Sequence, residues 1–379
     1  MTSALVNARL PGDAAQADRA VLLAGGKIAG LVPLAEIPEH VPRIDLGGRR
    51  LAAGFIDTQV NGGGGVLFND DPTVEGIEAI GRAHRRFGTT GFLPTLISDD
   101  FSVIRQAIAA VDRAIEAETP GVLGIHIEGP FLNPDRKGIH DAGKMRALDA
   151  EGFEILTSLK RGRTLVTLAP EMVEAGTVRK LAEAGVVVAA GHTNASYETA
   201  RRAFGEGITG VTHLFNAMSP LASRRPGMVG AALEDQAAWC GLVVDGRHVD
   251  PAVLKIALRC RPRDRFMLVT DAMPCVGGAS LSFELQGRTI QVRDGACYDE
   301  NGVLAGSNLD MASAVANAHR MLDLGLDEAL SMASAAPAAF LGLADRSAGL
   351  APGQAADLVA LGDDLTVWAT WIGGAIERV

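Results

Sequence analysis

Three short stretches, IHIEGP, AAGHTNAS and VTHLFNAM, each place a metal-capable side chain just past a run of strand-forming residues: Glu128, His192 and His213. One carboxylate and two imidazoles are a common set for Zn2+, and they leave a fourth coordination position open to water. His192 and His213 are 21 residues apart, one strand–helix unit, so adjacent parallel strands would present them side by side. Any one of these histidines, taken singly, is more often a hydrogen-bonded structural residue than a ligand. Three ligands at one level of one sheet favour a metal. TDAMP adds Asp271 at the end of a later apolar run. Asp often caps a helix, but no helical pattern follows here. A carboxylate beside a metal-activated water can take the water's proton and pass it to a leaving group.

The other histidines divide by context. His140 and His248 also fall just after expected strand ends, whereas His84 and His319 sit in amphipathic helical patterns and His40 lies among prolines and charges. His126 precedes Glu128 by two and points the same way one layer deeper, as a core or supporting residue. The stretch DTQVNGGGG, residues 57–65, has the look of an active-site loop, because four glycines let the backbone turn sharply and approach a ligand. Yet its strand-end positions carry the amides Gln59 and Asn61, which neither titrate near neutral pH nor bind transition metals well.

These residues need a frame. The spacing predicts strands at 51–57, 90–97, 122–127, 164–168, 186–190, 210–213, 242–245 and 266–270, with amphipathic helices between most of them, for example at 74–87, 101–117 and 178–184. Eight strands alternating with helices is the count of a TIM-like (β/α)8 barrel, whose C-terminal strand ends carry the chemistry. Residues 275–305 break the rhythm and read as a β-hairpin insertion, a natural lid. Short strands in the first fifty and last thirty residues lack a core of their own. They are expected to pair, so that 1–50 and 346–379 form a small β-sandwich beside a barrel at 51–345.

The 379 residues are 47% hydrophobic and only 4% aromatic, with 45 glycines, which favours tight helix–strand packing over aromatic binding platforms. A net charge of −10 without a basic stripe argues against nucleic acid, and an anionic substrate must be held by local positive groups. No apolar run is long enough to span a bilayer. The four cysteines show no metal spacing, and the N-terminus has no secretory pattern, so a reduced, cytoplasmic enzyme is expected.

GFIDTQVNGGGG, GIHIEGPFLNPDRKGIHD, GHTNAS, THLFNAM, VVDGRHV, LVTDAM and LAGS, taken in order, resemble the N-acetylglucosamine-6-phosphate deacetylase family of the amidohydrolase superfamily. The resemblance implies hydrolysis of the N-acetyl amide of a sugar phosphate, with no membrane partner. It implies Glu128, His192 and His213 as ligands of one divalent metal, Zn2+ with Fe2+, Mn2+ or Co2+ as alternatives. Asp271 becomes general base and acid, and His140 the group polarising the acetyl carbonyl. Asn216, Ala217, Arg224 and His248 would surround the sugar phosphate, with Leu304, Ala305 and Gly306 closing over it. Gln59 and Asn61 would occupy the place of the H-x-H pair that binds a second metal in many superfamily members. A homodimer is implied, with a tetramer as alternative, in which Arg224 enters the neighbouring site. Two rivals stand beside this: an amidohydrolase acting on another acyl-amino-sugar or cyclic amide, and a non-catalytic relative. The latter would have lost ligands or Asp271, and none is lost.

Overall fold

The computed structural model describes residues 2–12, 18–346 and 349–379. Eight parallel strands form one sheet in chain order: Phe55–Val60, Thr89–Ile97, Gly124–Glu128, Arg163–Leu168, Val187–Ala190, Ile208–Val211, Trp239–Leu242 and Phe266–Leu268. A parallel bridge between Val60 and Ala272, with Asn61 N–H donating to Ala272 C=O at 2.9 Å, joins first strand to last and closes the barrel. All residues of the first three strands are buried, as expected of strands covered on both faces. Helix Phe101–Glu116 shows how the outer layer forms. Phe101, Ile104, Ile108 and Val111 recur every three or four residues, so one stripe faces the sheet.

Strand starts and ends differ from the expectation in instructive places. The first expected strand divides in two. Arg50–Ala53 pairs antiparallel with Leu358–Leu361, and only Phe55–Val60 enters the barrel. Gly54 marks the crossing, because a Cβ there would sit 2.1 Å from Thr90 Oγ1. The seventh strand, expected at 242–245, is Trp239–Leu242, so His248 lies on the following loop rather than at the strand end. The insertion is more than a hairpin. Ser282–Leu285, Arg288–Arg293, Ala296–Tyr298 and Leu304–Ser307 form a four-stranded antiparallel sheet.

The chain ends build two further four-stranded sheets. Strands 2–6, 19–24, 27–33 and 43–45 make one, and strands 50–53, 358–361, 367–372 and 375–378 the other. Leu5, Val21, Leu46, Leu51, Leu358 and Trp371 pack into one apolar cluster between them. Residues 1, 13–17 and 347–348, which the expected small domain also covers, lie outside the described residues. Among the described residues, no helix is long and apolar enough to cross a membrane.

Candidate active site

Barrel strands deliver four acid or imidazole groups to one end. Glu128 is the last residue of its strand, while His192, His213 and Asp271 stand two or three residues beyond theirs. Those three have left-handed backbone, with φ of +47°, +30° and +52°. Such conformations cost a non-glycine residue on the order of 1–3 kcal/mol and persist only where surrounding bonds enforce them. Here Leu214 N–H donates to Gly241 C=O, Ser307 N–H to Asp271 C=O, and Asn133 N–H to His192 C=O. The backbone is thus turned so that the side chains converge.

Glu128 Oε1 lies 3.2 Å from His192 Nε2 and 3.0 Å from His213 Nε2, and the two Nε2 atoms are 3.0 Å apart. His192 Nδ1 is 2.8 Å from the Arg136 carbonyl, which can only accept, so Nδ1 carries the proton and a neutral ring turns the Nε2 lone pair inward. Lone pairs crowded this closely repel unless a positive charge sits among them. The buried charges make the same demand. Burial alone would raise Glu128, but its bonds to the two imidazoles hold it well below the usual carboxylate range. Burial alone would lower His213, but the Glu128 carboxylate reverses that and its pKa is raised. His213 Nδ1 is buried without a hydrogen-bond partner among the described residues. The donor set fits a divalent metal.

His140 is close enough to compete as a ligand, since donor atoms of Glu128, His140 and His192 lie within 4.8 Å of one another. Its tautomer argues otherwise. Ser98 N–H, which can only donate, points at His140 Nδ1 at 3.3 Å, and the Ser98 hydroxyl is 2.8 Å from the same atom. Nδ1 is therefore the acceptor and Nε2 carries the hydrogen, the wrong state for a metal ligand and the right one for a donor. Burial pulls the His140 pKa down to about 3, so the ring is neutral.

Asp271 is held by amides. Asn61 Nδ2 donates to its Oδ1 at 2.7 Å, and Gln59 Nε2 donates to Asp271 Oδ1 at 3.2 Å and to Glu128 Oε2 at 3.1 Å. Burial and then the Glu128 charge raise the Asp271 pKa. The helix that follows the insertion, Met311–Met321, is capped by Asp310 and not by Asp271.

These groups open into a cavity of about 300 Å³ that Asn61, Asn216, Ala217, His248, Leu304 and Ala305 help to line. His248 Nδ1 lies 2.6 Å from the Asp245 carboxylate, which orients the ring. Two expected residues are elsewhere. Gly306 lies against the Asp271 backbone, where a Cβ would fall 2.7 Å from the Asp271 carbonyl oxygen. Arg224 lines a different cavity, of about 430 Å³, with Arg225 and with Arg136, which borders both.

Residues 50–376 match the model of the amidohydrolase family. The chain belongs to that family. N-acetylgalactosamine-6-phosphate deacetylase of Shewanella sp. (strain ANA-3) is 42% identical over 94% of this chain and 91% of its own length. N-acetylglucosamine-6-phosphate deacetylase of Haemophilus influenzae is 36% identical over 94% of each chain. The crystal structure of N-acetylglucosamine-6-phosphate deacetylase from Pasteurella multocida superposes over 100% of both chains with a TM-score of 0.96 at 35% identity.

Several supporting residues of this amidohydrolase escape a reading based on histidines and acids. Ser98 sets the His140 tautomer, yet a lone serine after a strand carries no signal of its own. Glu171 takes bonds from Thr193 Oγ1, Asn194 N–H and Asn133 Nδ2, clamping the loops on either side of His192. Asp57 accepts from Gln59 N–H and from both donors of Thr270, tying the first strand to the last beneath Asp271. Burial pushes its carboxyl up to about 7. The DTQ spacing holds a hint of this, since Asp57 and Gln59 share one strand face.

Proposed function

We propose that the chain hydrolyses the N-acetyl amide of N-acetyl-D-glucosamine 6-phosphate, releasing acetate and D-glucosamine 6-phosphate, a step of amino-sugar catabolism. The observation that carries this reading is the convergence of Glu128, His192 and His213 around one point, with Asp271 and a donor-state His140 in the same cavity. The relatives named above supply the substrate class.

One divalent metal held by Glu128, His192 and His213 would supply Lewis acidity and an acidified water; Zn2+ suits this donor set, with Fe2+, Mn2+ or Co2+ as alternatives. Asp271 accepts the proton of the attacking water. Both amide donors occupy its Oδ1, which leaves Oδ2 for that proton. His140 Nε2–H donates to the acetyl oxygen as negative charge builds there, a contribution of roughly 3–4 kcal/mol for one good donor in comparable sites. Asp271 then returns the proton to the sugar nitrogen as the C–N bond breaks. Gln59 and Asn61 stand in place of a second metal site and hold the base by neutral hydrogen bonds.

Phosphate recognition is assigned to His248, Asn216 and Ala217 in the same barrel and to Arg224 of a second copy in a homodimer. Mixing Arg224→Ala and Asp271→Asn chains under subunit exchange restores activity if the site is shared. Activity stays at the level of the separate variants if Arg224 serves its own barrel.

The 42% identical relative favours a second reading, in which the C4 epimer N-acetyl-D-galactosamine 6-phosphate is a substrate. Acetate release from both phosphorylated sugars and from unphosphorylated N-acetylglucosamine tests the proposal. The expected order is either phosphate far above the plain sugar, and absence of acetate from both phosphates overturns it.

A further inference from the structure

The insertion reaches the active site twice. Its last strand, Leu304–Ser307, supplies Leu304 and Ala305 to the cavity wall. Its first hairpin turns at Gln286 and Gly287, with φ of +48° and +77°, the signature of a tight two-residue turn. From that tip the Gln286 side chain crosses to the barrel. Its Oε1 accepts from Asp141 N–H at 3.0 Å, and its Nε2 donates to the Ser98 carbonyl at 2.8 Å. An N–H can only donate and a carbonyl only accept, so the amide has one orientation that satisfies both.

The two residues it joins flank His140. Asp141 follows it in the chain, and Ser98, almost wholly buried, places N–H and O–H on His140 Nδ1. The ring itself packs with its centre 4.5 Å from that of His192. Among the described residues, the Ser98 carbonyl and the Asp141 N–H have no other hydrogen-bond partner.

We propose that Gln286 is a positioning residue. Its amide fastens Ser98 and Asp141 together around His140, so the Nε2–H donor faces the acetyl group only when the insertion sheet is seated. One element then lines the cavity wall and braces the two residues beside its electrophile. This rests on the reading of His140 as the group that polarises the carbonyl.

Gln286→Ala removes the clamp. Gln286→Asn is the second variant: Asn accepts left-handed backbone well, so the turn is kept while a side chain one methylene shorter cannot span both partners. In both, kcat is expected to fall about tenfold, since ångström-scale misplacement of a reacting group costs up to about 10²-fold. KM and metal content stay as in the parent enzyme. In protein labelled with 15N-histidine, the His140 Nδ1 resonance moves from that of a bare lone-pair nitrogen towards the average of two tautomers. In a His140→Ala background, Gln286→Ala lowers kcat no further.

An unchanged His140 resonance overturns the proposal, as does the same fall in kcat with and without His140. If His140→Ala alone leaves kcat nearly intact, the role of His140 fails. The resonance then still decides whether Gln286 holds the ring.

Discussion

His192 and His140 are buried imidazoles with ring centres 4.5 Å apart, yet the protein prepares them for opposite tasks. Just past the end of the fifth barrel strand, the Arg136 carbonyl accepts from His192 Nδ1–H, which turns the Nε2 lone pair inward. On the loop after the third strand, Ser98 gives hydrogens to Nδ1 of His140 and turns an N–H inward. In the roles proposed for them, one residue type would serve as ligand or as electrophile according to whether its far nitrogen meets an acceptor or donors.

The largest test of this contrast is metal content. His192→Ala is expected to lose the metal and to reduce activity well beyond the 10²–10³-fold, roughly, that loss of one oxyanion donor costs. His140→Ala is expected to keep the metal and to lose activity within about that range. Elemental analysis beside acetate release checks both, and loss of metal in His140→Ala would reverse the two assignments.

Asp271 comes next. Asp271→Asn should retain metal and substrate binding while kcat falls by more than the approximately 10²–10⁴-fold usual for one proton transfer, because one group serves two. Loss of the metal instead would make Asp271 a ligand. The pH profile follows from the same residue. Only the ionised carboxylate can accept the proton, and burial together with the Glu128 charge raises its pKa. Activity is therefore present above that pKa and lost as pH falls through it. The acidic limb of kcat/KM should lie above the ordinary value of 3.8, and a limb at or below that value shows that the metal charge outweighs burial.

The smallest effect is expected at Ser98. Ser98→Ala removes the hydroxyl but keeps the backbone N–H on His140 Nδ1, so one neutral hydrogen bond is lost. About 1 kcal/mol, or roughly a fivefold fall in kcat, is expected with metal content unchanged. A fall as large as that of His140→Ala would mean that the hydroxyl alone sets the tautomer.

Much of the barrel and its site is legible in the amino-acid sequence. Near-continuous apolar runs mark barrel strands because each must bury both faces, and the C-terminal strand ends of such a barrel gather the chemistry, which is why Glu128, His192, His213 and Asp271 stand out. Gln59 and Asn61 are recognisable as amides at a strand end, though not as the donors that hold Asp271. The differences fall where pattern is silent. Residues 51–57 are mostly apolar, so nothing in them marks the crossing from one sheet to another at Gly54, which is set by contact with Thr90. Alternation in residues 275–305 signals β-structure, but a four-stranded sheet rather than a hairpin depends on which edges meet.

Residue type and spacing, then, determined which atoms are available for metal binding and proton transfer, because those are properties of side chains and of a repeating backbone. Tertiary structure alone decided which nitrogen of His192 and of His140 holds a proton and which oxygen of Asp271 is free. It also decided that Arg224 and Gly306 stand outside the cavity. Each of these depends on a partner far away in the chain, such as Ser98 for His140 or Arg136 for His192, and single hydrogen bonds between distant loops leave no periodic trace in a sequence.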